Sequence, residues 1–409
     1  MLTTNSHPKI YLLSDTHLIA DELHDNGAAF QKMRDTSAGK DLDYQEIMLT
    51  AFVRKVLNDK PDAVIITGDL TFNGARRSGE KLTEIFAPLK RVGISFLPIP
   101  GNHDINDGWA REFEGEFQYR VSQITPQDWK ELFARSYQVA ADKDTHSLSY
   151  SVNLNNDYRL ILADSNLYPE TFSKTHPTTN GYLSPSRLAW IEKELQEARK
   201  HHQHILFFMH HNLYDHNAII NDSFTLDNAS ELQDLFRKYN VRATFSGHIH
   251  AQNIISAKTD CPSFDVASSC FSMCDQGYGV ISLTSKELNY QHCSFDCTAF
   301  LTPEEMQQLP PCNFHDYLRH QFSKVNQLQM DKYQAKFDSK SDWQAATNLV
   351  NNLNWDFFTG KSNYDAVNKE EIKTSPAYQL LQQKLPMMIN YADSLLSVST
   401  NSQHINIKW

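Results

Sequence analysis

The chain has 409 residues, 40% hydrophobic and 21% charged, the make-up of an ordinary soluble globular protein with room for two domains. No apolar run approaches the ~20 residues that span a bilayer, and the apolar stretch Ile10–Leu13 that follows the polar start is shorter than a signal-peptide core of roughly 7–15 residues, so a cytoplasmic protein with no membrane partner is expected. A net charge of −11, from 38 basic against 49 acidic residues, disfavours long nucleic acids, whose binding rests on phosphate neutralisation, but leaves a small anionic substrate open if cations are bound locally.

Residues 9–13 read as a buried strand ending in Ser14-Asp15-Thr16-His17. The polar segment 19–43, with Gly27 and Gly39 and no sustained period, reads as a loop bordering the site, with room for one helical turn. Apolar positions at helical spacing over 44–58 stop at Pro61. A second strand, 63–67, ends in Gly68-Asp69; a helix is expected over 78–91; a third strand, 94–99, ends in Gly101-Asn102-His103-Asp104. Strand and helix alternating at this rhythm predict parallel βαβ units. Parallel strands place their carboxyl ends on one sheet edge, where ligands bind in open α/β sheets, so these three segments should converge.

Residues 105–145 are rich in aromatics and read as a helical insertion packing its own rings, with a second possible role as a lid. Strands return at 147–154 and 158–164. Ser184-Pro185 opens a helix reaching about residue 200. Strand 204–209 ends in His210-His211-Asn212, and helix 228–239 leads to strand 241–246, which ends in Gly247-His248-Ile249-His250. Segments 252–258, 263–270, 278–284 and 288–295 alternate in hydrophobicity, read as antiparallel strands, and with 147–164 suffice for a second sheet. The six cysteines lie between Cys261 and Cys312; the spacings Cys270-x3-Cys274 and Cys293-x3-Cys297 permit a zinc pair, but strand-like flanks favour buried free thiols. The division expected is residues 1–300 and 301–409, the second all-helical, with starts at Thr302-Pro303-Glu304-Glu305, Ser341-Asp342-Trp343-Gln344 and Ser375-Pro376, and a kink at Pro386. Its helices 313–330 and 376–398 suit either capping a site or forming a homodimer.

The strand-end residues form a set: Asp15, His17, Asp69, Asn102, His210, His248 and His250, with His103 beside it. Carboxylate, imidazole and amide oxygens are ligands for manganese, iron or zinc. Seven ligands exceed one tetrahedral ion and suit two ions sharing one, for which the Asp69 carboxylate, with two oxygens, is the natural bridge. Two such ions ~3.5–4 Å apart can activate water and clamp a phosphoryl group.

This series, Asp15-Thr16-His17, Gly68-Asp69, Gly101-Asn102-His103-Asp104, His210 and Gly247-His248-Ile249-His250, resembles the calcineurin-like metallophosphoesterase superfamily over about residues 9–295. The resemblance implies an α/β sandwich of two mixed β-sheets flanked by helices. One divalent ion would be held by Asp15, His17, Asp69 and His250, the other by Asp69, Asn102, His210 and His248. His103 would bind the phosphate and act as general acid, with Asp104 orienting its loop. Many relatives carry a proline after the fourth-block histidines, where this chain has Asn212. His210, directly after its strand, is taken as the ligand, and His211 as a substrate-facing or supporting group. The long polar loop after the first motif, Gly181-Tyr182-Leu183-Ser184 and the helical C-terminal part resemble bacterial cyclic-nucleotide phosphodiesterases. They imply a binuclear enzyme hydrolysing a small phosphodiester or nucleotide, by attack of a metal-bridging hydroxide, with manganese or iron preferred over zinc. Phosphomonoester or nuclease chemistry on the same site, and a silent scaffold, are the alternatives. Arg111 and Arg120 are weaker candidates for phosphate contact.

Overall fold

The structure of the protein, a computed structural model, describes residues 1–409. Strands and helices alternate first: β1 (Lys9–Leu13), α1 (Ala28–Thr36), α2 (Gln45–Asp59), β2 (Ala63–Thr67), α3 (Arg76–Arg91) and β3 (Ser95–Ile99). The three strands pair in parallel, as their helical crossovers require. Tyr11, Val64 and Phe96 lie in register on one face, where Tyr11 meets Phe52 of α2 and Phe96 stacks on Phe86 of α3 at 4.3 Å. Leu12, Ile65 and Leu97, one residue on, point to the opposite face.

A hairpin of β4 (Arg111–Glu114) and β5 (Phe117–Arg120) follows, then α4 (Pro126–Leu132), α5 (Ala134–Gln138), β6 (Asp142–Lys143), β7 (Tyr150–Asn153) and β8 (Tyr158–Leu162). After α6 (Pro185–Lys200) come β9 (His204–Phe208), α7 (Ala229–Tyr239), β10 (Ala243–Ser246), β11 (Asn253–Ile255), β12 (Phe264–Ala267), β13 (Gly277–Leu283) and β14 (Glu287–Ser294). The C-terminal helices are α8 (Pro303–Gln308), α9 (Phe314–Asp331), α10 (Lys340–Phe358), α11 (Ala366–Thr374), α12 (Pro376–Lys384) and α13 (Pro386–Leu396), and β15 (His404–Lys408) closes the chain.

Two mixed sheets result: six strands in the order β15-β14-β13-β1-β2-β3, and seven in the order β11-β12-β10-β9-β8-β7-β6. Leu160, Leu162, Leu206 and Phe208 face the core shared with the first sheet, while Ile161, Ile205 and Phe207 face Ile191 and Leu195 of α6 and Phe236 of α7. Burial on both faces explains why these parallel strands read as unbroken apolar runs. The layers are helices, sheet, sheet, helices, the sandwich expected.

Several local expectations differ. Segment 19–43 contains α1, a full nine-residue helix, because Phe30 is buried between His24, stacked at 3.9 Å, and Phe113 at 5.3 Å. The 105–145 insertion begins as a hairpin rather than a helix, and Phe117 and Tyr119 stay exposed. Segments 278–284 and 288–295 join the first sheet as β13 and β14, and β12 runs parallel to β10. Ser339, not Ser341, caps α10, its hydroxyl accepting from Asp342 N. Pro386 starts α13 instead of kinking one long helix, since a proline has no N–H to give and clashes with the preceding turn. The capping box at Thr302 and Glu305 is present. No disulfide forms; Cys261, Cys270, Cys274 and Cys297 are buried thiols and no cysteine pair makes a second metal cluster. No helix is long and apolar enough to cross a membrane.

The C-terminal part is helical to Leu396 but not all-helical: β15 returns to pair antiparallel with β14 and places Ile405 and Ile407 in the main core. Alternation of Ile405 and Ile407 with polar neighbours is the strand signal in that stretch. Ile407 is 2% exposed, so Ile407→Ala should cost about 3 kcal/mol. A fall in the urea midpoint checks this; an unchanged midpoint would mean the core does not depend on β15.

Candidate metal centre

The first sheet delivers Asp15 and His17 after β1, Asp69 after β2, and Asn102 and His103 after β3. The second delivers His210 after β9, and His248 and His250 after β10. Asp15, His17, Asp69 and His250 bring one ligand atom each within 4.8 Å of one another, and so do Asp69, His210 and His248. The loops are locked together by backbone bonds, Asp15 N to Gly68 O and His17 N to Asp69 O, both 3.0 Å.

This convergence requires unusual backbone. Asp15, His17, Asp69, His248 and His250 all take left-handed φ, between 44° and 69°, a region that costs non-glycine residues of order 1–3 kcal/mol each. Gly68, at φ 100°, must lack a side chain: a Cβ there would stand 2.3 Å from His210 Nδ1. Strain on five of seven candidate ligands points to a site over-determined by its surroundings.

The two Asp69 oxygens face different clusters. Oδ2 lies 3.8 Å from His17 Nε2, and Oδ1 lies 3.5 Å from His210 Nε2. Asp15 Oδ1 stands 3.3 Å from His250 Nε2 and 3.7 Å from His17 Nε2, and is buried with no hydrogen-bond donor. Asn102 Oδ1 and His210 Nε2 approach to 3.1 Å. In the second cluster the other ring nitrogens are engaged: His210 Nδ1 with the Thr67 carbonyl at 2.8 Å, and His248 Nε2 with the Ser223 carbonyl at 3.1 Å. Such backbone acceptors fix the tautomer and leave His210 Nε2 and His248 Nδ1 as lone pairs. An orphaned buried carboxylate oxygen and lone pairs converging from two sides fit two divalent cations sharing Asp69. Although burial opposes ionisation, His210 and His103 hold the Asp69 carboxyl well below the usual carboxylate range, in the form a ligand needs.

Three further expected residues fall differently. His103, on the rim at 23% exposure, sets Nδ1 3.4 Å from Asp107 Oδ2, which leaves Nε2 facing outward. Burial works against its protonation, but Asp69 and Asp107 raise its pKa above the ordinary imidazole value. Asp104 is fully buried and spends its carboxylate on Leu70 N, Thr71 N, the Thr71 hydroxyl and Gly101 N. It ties the β2 loop to the β3 loop and orients them, so it positions residues and does not itself reach a substrate. His211 is not substrate-facing: its Nδ1 meets Ser165 Oγ at 2.8 Å, its Nε2 meets the Thr179 carbonyl at 2.9 Å, and Gly181 closes over the ring. Burial, with His210 beside it, pushes its pKa down to about 3. At this block it is His210, not His211, that joins the cluster with Asp69 and His248.

Sequence reasoning passed over Asp107 and Phe72, and weighed Cys270 only as half of a zinc pair with Cys274. Asp107, four residues after His103, carried a spacing signal. Phe72 carried none; its ring lies 5.9 Å from His17 and nearly parallel to His103 at 6.3 Å. The Cys270 thiol sits beside the first cluster but donates to the Asp15 carbonyl at 3.1 Å, and burial and Asp15 push its pKa up to about 12, so it remains a thiol. Arg111 gives its guanidinium to the Gly108 and Ala110 carbonyls, and Arg120 lies exposed on the hairpin.

If Asp69 serves both ions, Asp69→Ala should lose more bound manganese than His250→Ala, which breaks one cluster. Metal analysis after dialysis reads this, together with loss of the thermal stabilisation that added manganese gives the parent. Equal metal loss in the two variants would refute the bridge.

The sequence pattern of the calcineurin-like phosphoesterase family matches residues 8–252, more than half of the chain, and that of the C-terminal domain of cyclic nucleotide phosphodiesterase matches residues 298–401. A probable cyclic nucleotide phosphodiesterase from Ruthia magnifica is 26% identical over 205 residues, 50% of this chain and 68% of that protein. A probable glycerophosphodiester phosphodiesterase from Arcobacter nitrofigilis is 31% identical over 221 residues, 52% of this chain and 67% of that one. Among solved structures, a dimetal phosphatase from Danio rerio aligns with a TM-score of 0.49 at 13% identity, covering 70% of this chain and 95% of its own. The chain belongs to the calcineurin-like phosphoesterase family, and is a metal-dependent phosphoric ester hydrolase.

Proposed function

We propose that the protein is a phosphodiesterase for a small phosphodiester, with a 3′,5′-cyclic nucleotide as its leading substrate class. The observation that carries the reaction type is the pair of clusters sharing Asp69, with the His103 imidazole on their rim. Two bound divalent ions would neutralise phosphoryl charge and lower the pKa of water. Asp15, His17, Asp69 and His250 would hold one, and Asp69, Asn102, His210 and His248 the other. The protein's own groups do the rest. Asp107 fixes the His103 ring through Nδ1, so Nε2 is placed to give a proton to the departing ester oxygen. Asp104 holds the loops that carry Asp69 and His103 at a constant separation. Support for the substrate class comes from the relatives, which include a probable glycerophosphodiester phosphodiesterase beside a probable cyclic nucleotide phosphodiesterase, and from the C-terminal match.

Hydrolysis of cyclic AMP, glycerophosphocholine, bis-p-nitrophenyl phosphate and p-nitrophenyl phosphate by manganese- and iron-loaded protein tests this. Turnover of the diesters ahead of the monoester is expected, with cyclic AMP first among the natural ones. A preference for the monoester would overturn the diesterase reading. His103→Ala should keep its metal while turnover of cyclic AMP falls about 10²–10⁴-fold. The loss should be much smaller for bis-p-nitrophenyl phosphate, whose weakly basic leaving group needs no proton; an equal loss on both substrates would contradict the general-acid role.

A further inference from the structure

Asn212 follows His210 and His211 directly and is fully buried. Its side-chain nitrogen donates to Ser246 Oγ at 2.8 Å and to the Gly247 carbonyl at 3.0 Å. A carbonyl only accepts, so the nitrogen and not the oxygen of the amide faces Gly247. Ser246 ends β10 and Gly247 precedes His248, so one amide spans from the loop of His210 to the loop of His248. Gly247 N returns a bond to the His210 carbonyl at 3.0 Å, and the centres of the His210 and His248 rings lie 4.7 Å apart. The parallel pairing of β9 with β10 ends at Phe208 and Phe245, so beyond it the spacing of the two loops depends on such cross-bonds. Asn212 Oδ1 is buried without a donor. An apolar residue would leave no such orphan, so the gain at this position comes through the nitrogen.

The backbone of Asn212 is engaged as well. Its N–H donates to the Phe224 carbonyl and its carbonyl accepts from Leu226 N, both at 3.0 Å, in a parallel bridge between Asn212 and Thr225. That bridge seats the far end of the 213–226 loop beside His248, with the Ser223 carbonyl 3.1 Å from His248 Nε2 and the Phe224 ring 5.1 Å from the His248 ring. The near end is held too. Ser246 Oγ, which takes the Asn212 amide, donates to Asp265 Oδ1 at 3.2 Å, and Asp265 Oδ2 accepts from Leu213 N at 2.7 Å and from Tyr214 N at 3.1 Å. Residues 212–214 are thereby fastened to β10 and β12 in a closed ring of buried bonds. A proline at position 212, with neither N–H nor amide, could make none of the three bonds that Asn212 donates.

We propose that Asn212 is the positioning residue of the second cluster: its amide ties the loop of His210 to the loop of His248, and its N–H seats the segment whose Ser223 carbonyl holds the His248 ring. The proposal rests on the reading of the two clusters as sites for two cations sharing Asp69. Partners that orient a ligand in this way set the affinity of the ion that the ligand holds. Asn212 therefore governs the ion between Asp69, His210 and His248 and not the one between Asp15, His17 and His250.

The test is calorimetric titration of manganese into full-length, metal-stripped protein. It compares the parent with Asn212→Ala, which keeps the backbone N–H, and Asn212→Pro, which loses that as well. The parent should bind two ions. In Asn212→Ala one ion should keep the parental affinity while the other weakens about tenfold or more, the usual cost of removing a partner that orients a metal ligand. Asn212→Pro should weaken the same ion further. Ile407→Ala, destabilised in the core away from the centre, should keep both affinities, because lost stability alone does not select one ion. Two parental affinities in Asn212→Ala, an equal loss of both, or the same selective loss in Ile407→Ala would overturn the proposal. A parent that binds fewer than two ions would refute the two-cation reading and the proposal with it. A parent that binds two ions and hydrolyses no ester would refute only the phosphodiesterase reading, and the variant affinities would still decide the role of Asn212.

Discussion

The Asp69 carboxylate is the constraint on which the rest of the structure depends. Its two oxygens face opposite clusters, one built from the first sheet and the second-sheet His250, the other from Asn102 and second-sheet histidines. A single carboxylate can join the two only if both sheets present their strand ends along a common seam and Asp69 projects into it. The left-handed φ of 49° at Asp69, the absent Cβ of Gly68 and the cap from His103 N to Asp69 Oδ1 at 2.9 Å achieve that projection. Strain of this kind survives because the strands behind it are buried on both faces and cannot relax independently.

Most of the site was legible in the sequence because ligands follow strands. Each short apolar run ended in polar groups, with a glycine beside them after β2, β3 and β10, and parallel pairing of β1, β2 and β3 was enough to bring Asp15, Asp69 and Asn102 to one edge. The ligands on β9 and β10 joined them through the second sheet, and their residue types marked them even though the sheet assignment of later strands did not. β13 and β14 alternate in polarity as any antiparallel strand would, and nothing local says which sheet edge they extend; tertiary pairing decides that. The residues that support the ligands were less legible. Asp104 and His211 carry the same side chains as catalytic groups, and only their hydrogen-bond partners, all internal, separate support from chemistry. Phe72 lies beside His17 and His103 through proximity created by folding, which no spacing rule registers.

The C-terminal helices hold the same argument from outside. Ile249, between His248 and His250, is 5% exposed and packs in one cluster with Phe337, Trp343, Val350 and Leu381 of the helical region. Just beyond, Gln252 N donates to the Phe358 carbonyl at 3.0 Å and Gln252 Nε2 to the Ser402 carbonyl at 2.7 Å. His248 and His250 take φ of 69° and 62°, so the loop that carries them has no regular backbone pattern of its own to hold it. Apolar packing on Ile249 fixes it together with His248 N donating to Asp15 Oδ2 and Cys270 N donating to the His250 carbonyl, both at 3.1 Å. Helix α9 also holds the loop after β1, its Tyr317 hydroxyl donating to Asp41 Oδ1 at 3.2 Å. The helical region therefore touches two loops that border the site without contributing a residue to either cluster. β15, returning to the first sheet after α13, ties that region into the core whose strands carry Asp15 and Asp69.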